Sequence, residues 1–183
     1  MENIKIQLPL NTDIVKSLHS GDTCLLSGTL YTARDAAHKR LCELIDQNKE
    51  LPFEINNSTI YFVGPTPAKE GQAIGSAGPT TSYIMDAYSP QLIALGQKAM
   101  IGKGKRSQKV IDAMKKYGCV YFGAIGGCGA LLSKAIISSS VVAYEDLGSE
   151  AIRKLEVVDF PVTVIIDAYG NNLYETGPKS YFE

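Results

Sequence analysis

The chain has 183 residues, 45% of them hydrophobic and 20% charged, with a net charge of −1. That composition fits a soluble globular protein with enough length for one well-buried core, expected as a single domain over residues 1–183. The near-zero charge gives no electrostatic case for a nucleic-acid or bilayer partner. Residues 1–21 mix charges with isolated apolar side chains, unlike a signal peptide, and no apolar run is long enough to cross a bilayer, so cytoplasmic residence is expected.

Taken in order, residues Ile4 to Leu10 alternate apolar and polar and read as a short strand. Thr12 to His19 is weakly helical, and Asp22 to Leu30 is a strand bounded by Gly21 and Gly28. In T-A-R-D-A-A-H-K-R-L-C-E-L-I-D, Thr32 is placed to cap a helix that has Asp35 in its first turn and Ala37, Leu41, Leu44 and Ile45 on one face. Arg34 and His38 are four apart near the positive helix start, where they would meet an anion or simply pair with local carboxylates.

Thr59 to Val63 is a strand that runs into the proline-rich loop Gly64-Pro65-Thr66-Pro67. After Gly78-Pro79, Thr80 or Thr81 stands ready to cap a helix. Ser89 and Pro90 read as N-cap and N1 of a further one, which ends at Gly96. Lys98 to Ile101 is a strand feeding Gly102-Lys103-Gly104-Lys105-Arg106-Ser107. Ser107 to Tyr117 is a helix stopped by Gly118. Cys119 to Ile125 is a buried strand, Ala130 to Ile136 a helix, Val141 to Tyr144 a strand, Ser149 to Leu155 a short helix, and Phe160 to Asp167 a buried strand. The tail after the Tyr169–Asn172 turn would add an edge strand and then fray. Strand–helix alternation from Lys98 onward implies βαβ units and parallel pairing.

Residues 64–129 hold twelve of the seventeen glycines, alternating with Thr, Ser, Lys and Arg. Hydroxyls, cations and bare amides in that mixture suit a small anion. Two nucleotide motifs fail. Gly104-Lys105 is followed by Arg106 where a P-loop needs Ser or Thr, and position 99 is Ala. Gly127-Cys128-Gly129 begins a G-x-G, but position 132 is Leu. A stand-alone phosphate or nucleotide binder would rest on Gly102 to Ser107 alone. Thr80 and Thr81 offer hydroxyls or plain N-caps, and Lys103 an ammonium for a carboxylate or a solvated loop lysine. Asp86 and Arg106 read as a structural ion pair. Cys24, Cys42, Cys119 and Cys128 make no CxxC pair and read as reduced structural thiols, except that Cys128, in a glycine loop, reads either so or as a reactive thiol, with no neighbouring base visible in sequence.

S-G-T-L-Y-T-A-R-D-A-A-H-K-R (Ser27 to Arg40), the Gly-Pro-Thr-Pro-Ala-Lys run from Gly64 and G-S-A-G-P-T-T-S (Gly75 to Ser82) carry a family resemblance. So do M-I-G-K-G-K-R-S (Met100 to Ser107), G-A-I-G-G (Gly123 to Gly127) and L-E-V-V-D-F-P (Leu155 to Pro161). The chain resembles the β subunit of class I iron–sulfur fumarate hydratases and L-tartrate dehydratases, and equally the C-terminal domain of single-chain class I fumarases. The resemblance implies an α/β fold, a three-layer swivelling β/β/α domain with a mixed, largely parallel sheet. It implies reversible hydration of a C4 dicarboxylate, fumarate/malate before tartrate, and a heteromer with an α subunit. A [4Fe-4S] cluster would be held by that subunit, with no metal ligand in this chain; the isolated chain could form a homodimer. By motif match Thr80 and His38 are the catalytic candidates, and Arg34, Thr81 and Lys103 bind substrate. The family pattern G-P-T-T-x-x-R-M-D has Ile84 at its arginine here. That departure points to a different hydroxy acid, to compensation by Lys69 or Arg106, or to a sequence variant. The reading from another class is a non-catalytic small-anion-binding or regulatory module that keeps the same fold.

Overall fold

The glycine-bounded apolar runs become strands, and in the computed structural model, which describes residues 2–124 and 129–177, they join one sheet. Among the described residues the strands are β1 (Ile4–Gln7), β2 (Thr23–Thr32), β3 (Thr59–Tyr61), β4 (Ala99–Gly102), β5 (Val120–Gly123), β6 (Ile136–Ala143) and β7 (Ile152–Ile166). The helices are α1 (Thr12–Ser17), α2 (Asp35–Asp46), α3 (Ser89–Ala94), α4 (Gln108–Tyr117), α5 (Gly129–Ser133) and α6 (Leu173–Thr176). β1 and β3 lie parallel to β2, and β4 and β5 continue that parallel run. β7 is antiparallel to β2, β5 and β6. Pairing therefore passes β2–β3–β4–β5–β7 and returns to β2, so the sheet folds back around a core.

Period-two alternation divides the strand side chains between two cores. Tyr61, Ala99, Ile101, Val120, Phe122, Phe160 and Val164 point into the space enclosed by the strands. Ile60, Phe62, Met100, Tyr121 and Ile165 point the other way, against Ala37 and Leu41 of α2 and Val110 and Met114 of α4. Two sheet layers and one helix layer result, the three-layer mixed arrangement expected. Neither α2 nor α4 has a side-chain N-cap bond. Packing holds them, at about 1.5–3 kcal/mol for each fully buried large apolar side chain. Gly118 ends α4 in the left-handed conformation, φ 77°. Gly28, φ 126°, sits where any side chain would meet the Leu8 carbonyl at 2.9 Å, and β2 bulges there.

Several expected elements differ. The Ser149 to Leu155 helix is absent: Glu145–Glu150 forms a 3₁₀ segment interrupted at Gly148, and β7 starts at Ile152. Ile152 and Leu155 fit helical spacing, but pairing of Lys154 to Thr163 along β2 wins. The helix expected from Ala130 to Ile136 stops at Ser133, and β6 begins at Ile136, ahead of the strand expected from Val141, because it pairs with β7. Parallel pairing after Lys98 is limited to β4 and β5, since β7 and β6 run antiparallel. A short helix and an isolated bridge from Asn172 to Ile166 follow the last turn, not an edge strand. The Gly126-Gly127-Cys128 loop, the expected end of its strand at Ile125 and the frayed tail beyond residue 177 lie outside the described residues.

Candidate functional site

The carboxyl ends of β2, β3 and β4 gather the residues singled out in the sequence. At the end of β2, Thr32 is buried, and its hydroxyl donates to the Ala151 carbonyl (3.3 Å) and accepts from the Arg153 amide (3.1 Å). Thr32 is therefore strand, not helix cap. Ala33 N–H donates to the Tyr61 carbonyl at 3.1 Å, which ties this corner to the end of β3. Arg34 occupies the N-cap position of α2 with extended backbone.

Arg34 and His38 part company because Arg34 lies outside the helical repeat. His38 turns inward, fully buried, with its ring edge against Phe62 at a centroid distance of 5.4 Å. Its Nδ1 lies 2.9 Å from the Arg34 carbonyl oxygen, so Nδ1 carries the hydrogen and donates. Nε2 is buried with no partner among the described residues. Burial, with help from the Arg106 charge and against Asp35, lowers the His38 pKa to about 4. Arg34 turns the other way, about a third exposed, with Nε 3.4 Å from Glu150 Oε1 and Nη2 3.9 Å from Asp35 Oδ1. Its side chain passes where a Cβ on Gly64 would stand, 3.1 Å from Cδ.

The neutral buried imidazole makes stability depend on pH. An unfolded histidine takes its proton near the ordinary 6.5, whereas the native ring resists until about 4. Between those values the unfolded state holds more protons, so stability is full above pH 6.5 and falls as pH drops. The expected loss is about 3 kcal/mol by pH 4. Urea unfolding from roughly pH 4 to 8 should show this slope, and His38→Leu should remove it. An unchanged slope in the variant would mean that His38 protonates in place.

Beyond Gly64 the chain returns to the site at Thr80, whose N–H donates to the Phe62 carbonyl at 2.8 Å. Thr81 then pairs in parallel with Lys103 as an isolated bridge. Ser82 N–H donates to the Lys103 carbonyl at 2.8 Å. Arg34, Gly64, Phe62, Thr80, Thr81 and Lys103 thus form one run of neighbours across three strand ends, where open α/β sheets place ligands. Thr81 stands at the N-cap of the 3₁₀ turn Ser82–Met85 without a side-chain cap bond. No hydrogen bond among the described residues engages the Thr80 or Thr81 hydroxyl or the exposed Lys103 ammonium, so capping does not consume them. The loop between is anchored by Tyr61, whose phenol donates to the Ala77 carbonyl, and by Gly129, whose carbonyl accepts from the Ala77 N–H at 3.0 Å.

Arg106 and Asp86 form the ion pair expected, Nε to Oδ1 at 2.7 Å, with the Arg106 side chain wholly buried. Arg106 therefore has no guanidinium to lend in place of an arginine at position 84. Ile84 is 37% exposed and Tyr83 65% exposed on the same turn. Lys69 is exposed in the proline-rich loop. Ser82, Tyr121 and Glu150 complete the surroundings and were missed in the sequence. Ser82 had a signal in its place beside Thr81; Tyr121, inside an apolar strand, had none.

A concavity of about 590 Å³ lined by Lys49, Phe53, Ile55 and Leu95 lies before β3, at the opposite end from these residues, and has no part in this chemistry. Among the described residues no three His, Cys, Asp or Glu side chains stand together to hold a metal. Cys24, Cys42 and Cys119 are separately buried, and burial pushes their thiols up to about 12, 11 and 12. A [4Fe-4S] cluster needs several thiolates converging on one place, and these three cysteines do not converge.

The family described as Fumarase C-terminus matches residues 1–177. The aerobic class I fumarate hydratase of Escherichia coli (strain K12) is 46% identical over 152 residues, 82% of this chain and 28% of the relative. Fumarate hydratase 2 of Leishmania major is 40% identical over 178 residues, 94% of this chain and 31% of the relative. A Methanocaldococcus jannaschii protein, provisionally named L(+)-tartrate dehydratase subunit beta, is 39% identical over 175 residues, 92% of this chain and 90% of the relative. The chain thus spans under a third of these fumarate hydratases, but nearly the full length of the beta subunit.

Proposed function

Because the chain belongs to the fumarase C-terminus family, we propose that it is the β-type component of a hydro-lyase that reversibly hydrates a C4 dicarboxylate, fumarate and malate ahead of tartrate. The observation that carries this reading is the run of Arg34, Thr80, Thr81 and Lys103 across adjoining strand ends, with both hydroxyls and the ammonium unengaged. Arg34 and Lys103 bind substrate carboxylates, at about 1.5–3 kcal/mol per charge-assisted hydrogen bond. Thr80 handles the proton on the carbon next to a carboxylate, and Thr81 hydrogen-bonds the substrate. His38, the other acid–base candidate by motif, is wholly buried, and its role here is to orient the Arg34 backbone through the carbonyl it holds. The [4Fe-4S] cluster belongs to an α partner that closes the open side of the site, and the assembly is a cytoplasmic heteromer.

The test is anaerobic. The chain is co-expressed with its cognate α partner, iron and sulfide are supplied, and fumarate formation from malate is followed by absorbance, with tartrate and other hydroxy acids in parallel. Turnover only in the mixture is expected; no complex at all would sink the reading. A second reading, a non-catalytic anion-binding module or a hydro-lyase for another hydroxy acid, is favoured by one observation. Ile84 is exposed beside the threonines, and Arg106 is committed to Asp86. A large gain in malate turnover on Ile84→Arg would mean that this clamp has diverged.

A further inference from the structure

The Lys103 loop is held by a closed ring of hydrogen bonds whose proton directions are fully determined. Tyr121 Oη lies 2.8 Å from the Gly104 carbonyl, an acceptor only, so the phenol donates there. Tyr121 has one hydrogen, so in its 2.8 Å contact with Ser82 Oγ the serine must donate. Ser82 Oγ then accepts from the Lys103 N–H at 2.9 Å. The chain runs Lys103 N–H to Ser82 to Tyr121 to the Gly104 carbonyl, beginning and ending on adjacent residues of one loop. Ser82 N–H also donates to the Lys103 carbonyl, and Gly104 N–H donates to Tyr174 Oη at 3.0 Å.

Ser82 and Tyr121 are wholly buried and touch no surface. Burial pushes the Tyr121 phenol well above its ordinary value, so it stays a donor at any working pH. Gly102 is shaped to this ring: a Cβ there would lie 1.9 Å from Ser82 Oγ. Ser82 follows Thr81 directly, and Thr81 bridges to Lys103. One buried pair therefore sets the spacing between the backbones of Thr81 and Lys103, which sit on different loops and carry a hydroxyl and an ammonium.

We infer that Ser82 and Tyr121 are positioning residues: they lock the Lys103 backbone beside Thr81, fix the point from which the exposed ammonium reaches out, and so determine how tightly the substrate carboxylate is held. This rests on the hydro-lyase reading for its substrate. Misplacing a binding group by an ångström costs up to about 100-fold. Ser82→Ala and Tyr121→Phe in the assembled enzyme should each raise KM about 10-fold or more, with kcat falling less. Val15→Ala serves as the comparison. It opens a cavity in the core beneath α1, away from the Lys103 loop, so it should lower Tm without moving KM. Amide exchange gives a readout independent of turnover: both site variants should speed exchange at residues 82 and 102–104 at least about tenfold, with distal amides unchanged. Variants that lose Tm while keeping the wild-type KM, or whose exchange rises uniformly, would overturn the inference. Failure of wild-type enzyme to turn over any dicarboxylate would instead remove the hydro-lyase reading, and the local exchange pattern would still decide the positioning role.

Discussion

Replacing Thr80 by valine should cut kcat of the assembled enzyme about 10²- to 10⁴-fold, the range for losing a general acid–base group, while changing stability by no more than about 0.5 kcal/mol. The two effects separate because different atoms of Thr80 carry them. Its backbone fixes the local structure, through the N–H donated to the Phe62 carbonyl at 2.8 Å. Its hydroxyl has no hydrogen-bond partner among the described residues and is free to meet substrate. Valine keeps the β-branched shape and the backbone preference and removes only the hydroxyl. Thr80→Ser keeps the hydroxyl and should retain most activity. Since Thr80 touches the reacting carbon in this scheme, the loss should appear in kcat and kcat/KM together. Wild-type kcat in Thr80→Val, measured with an unchanged unfolding midpoint, would remove Thr80 from the proton transfer and leave the role to water or to the partner.

Local signals made part of this molecule legible. β3, β4 and β5 are short apolar runs closed by glycine, buried on both faces, and α4 carries its own stop at Gly118. What could not be read was long-range pairing. Arg153 to Glu156 is equally compatible with a helical turn, and its antiparallel ladders decide for strand: one with Ser138 to Val141 of β6 and, from Lys154 on, one with β2, more than a hundred residues away in the chain. The ladder with β2 closes the sheet, so the two-core arrangement was accessible only through the family resemblance. The site divides in the same way. Arg34, Thr80 and Lys103 stand out because glycine or proline flanks them or a motif contains them. His38 misleads, since i,i+4 spacing suggests a shared face, while the extended N-cap backbone of Arg34 turns the two side chains apart. Ser82 and Tyr121 meet only after β4 and β5 pair.

The largest loss of stability should come from Asp86→Ala, about 3–5 kcal/mol by removal of one partner of a buried ion pair. Arg106 is wholly buried, and a guanidinium cannot shed its charge in a protein. Its Nη2 still donates to Ser89 Oγ at 2.9 Å and its plane still faces Phe62 and Tyr121 at 5.2 and 5.0 Å. Those neutral contacts are worth about 0.5–2 kcal/mol each and do not replace a carboxylate. Asp86 also accepts the Ser107 N–H at 2.7 Å through its second oxygen, so the start of α4 loses its only side-chain acceptor among the described residues as well. Unfolding by urea should show a reduced midpoint with an unchanged slope. The double variant Asp86→Ala/Arg106→Met should recover part of the loss, because it withdraws the stranded cation and leaves an apolar side chain against Met100, Phe62 and Tyr121. A loss below about 1 kcal/mol in Asp86→Ala would mean that water reaches the guanidinium. A double variant no better than the single would mean that the carboxylate acts mainly as the cap of α4. Because Arg106 sits three residues after Lys103, the same substitution couples the core to the site. Asp86→Ala should raise KM, and the double variant should restore it only as far as it restores the loop.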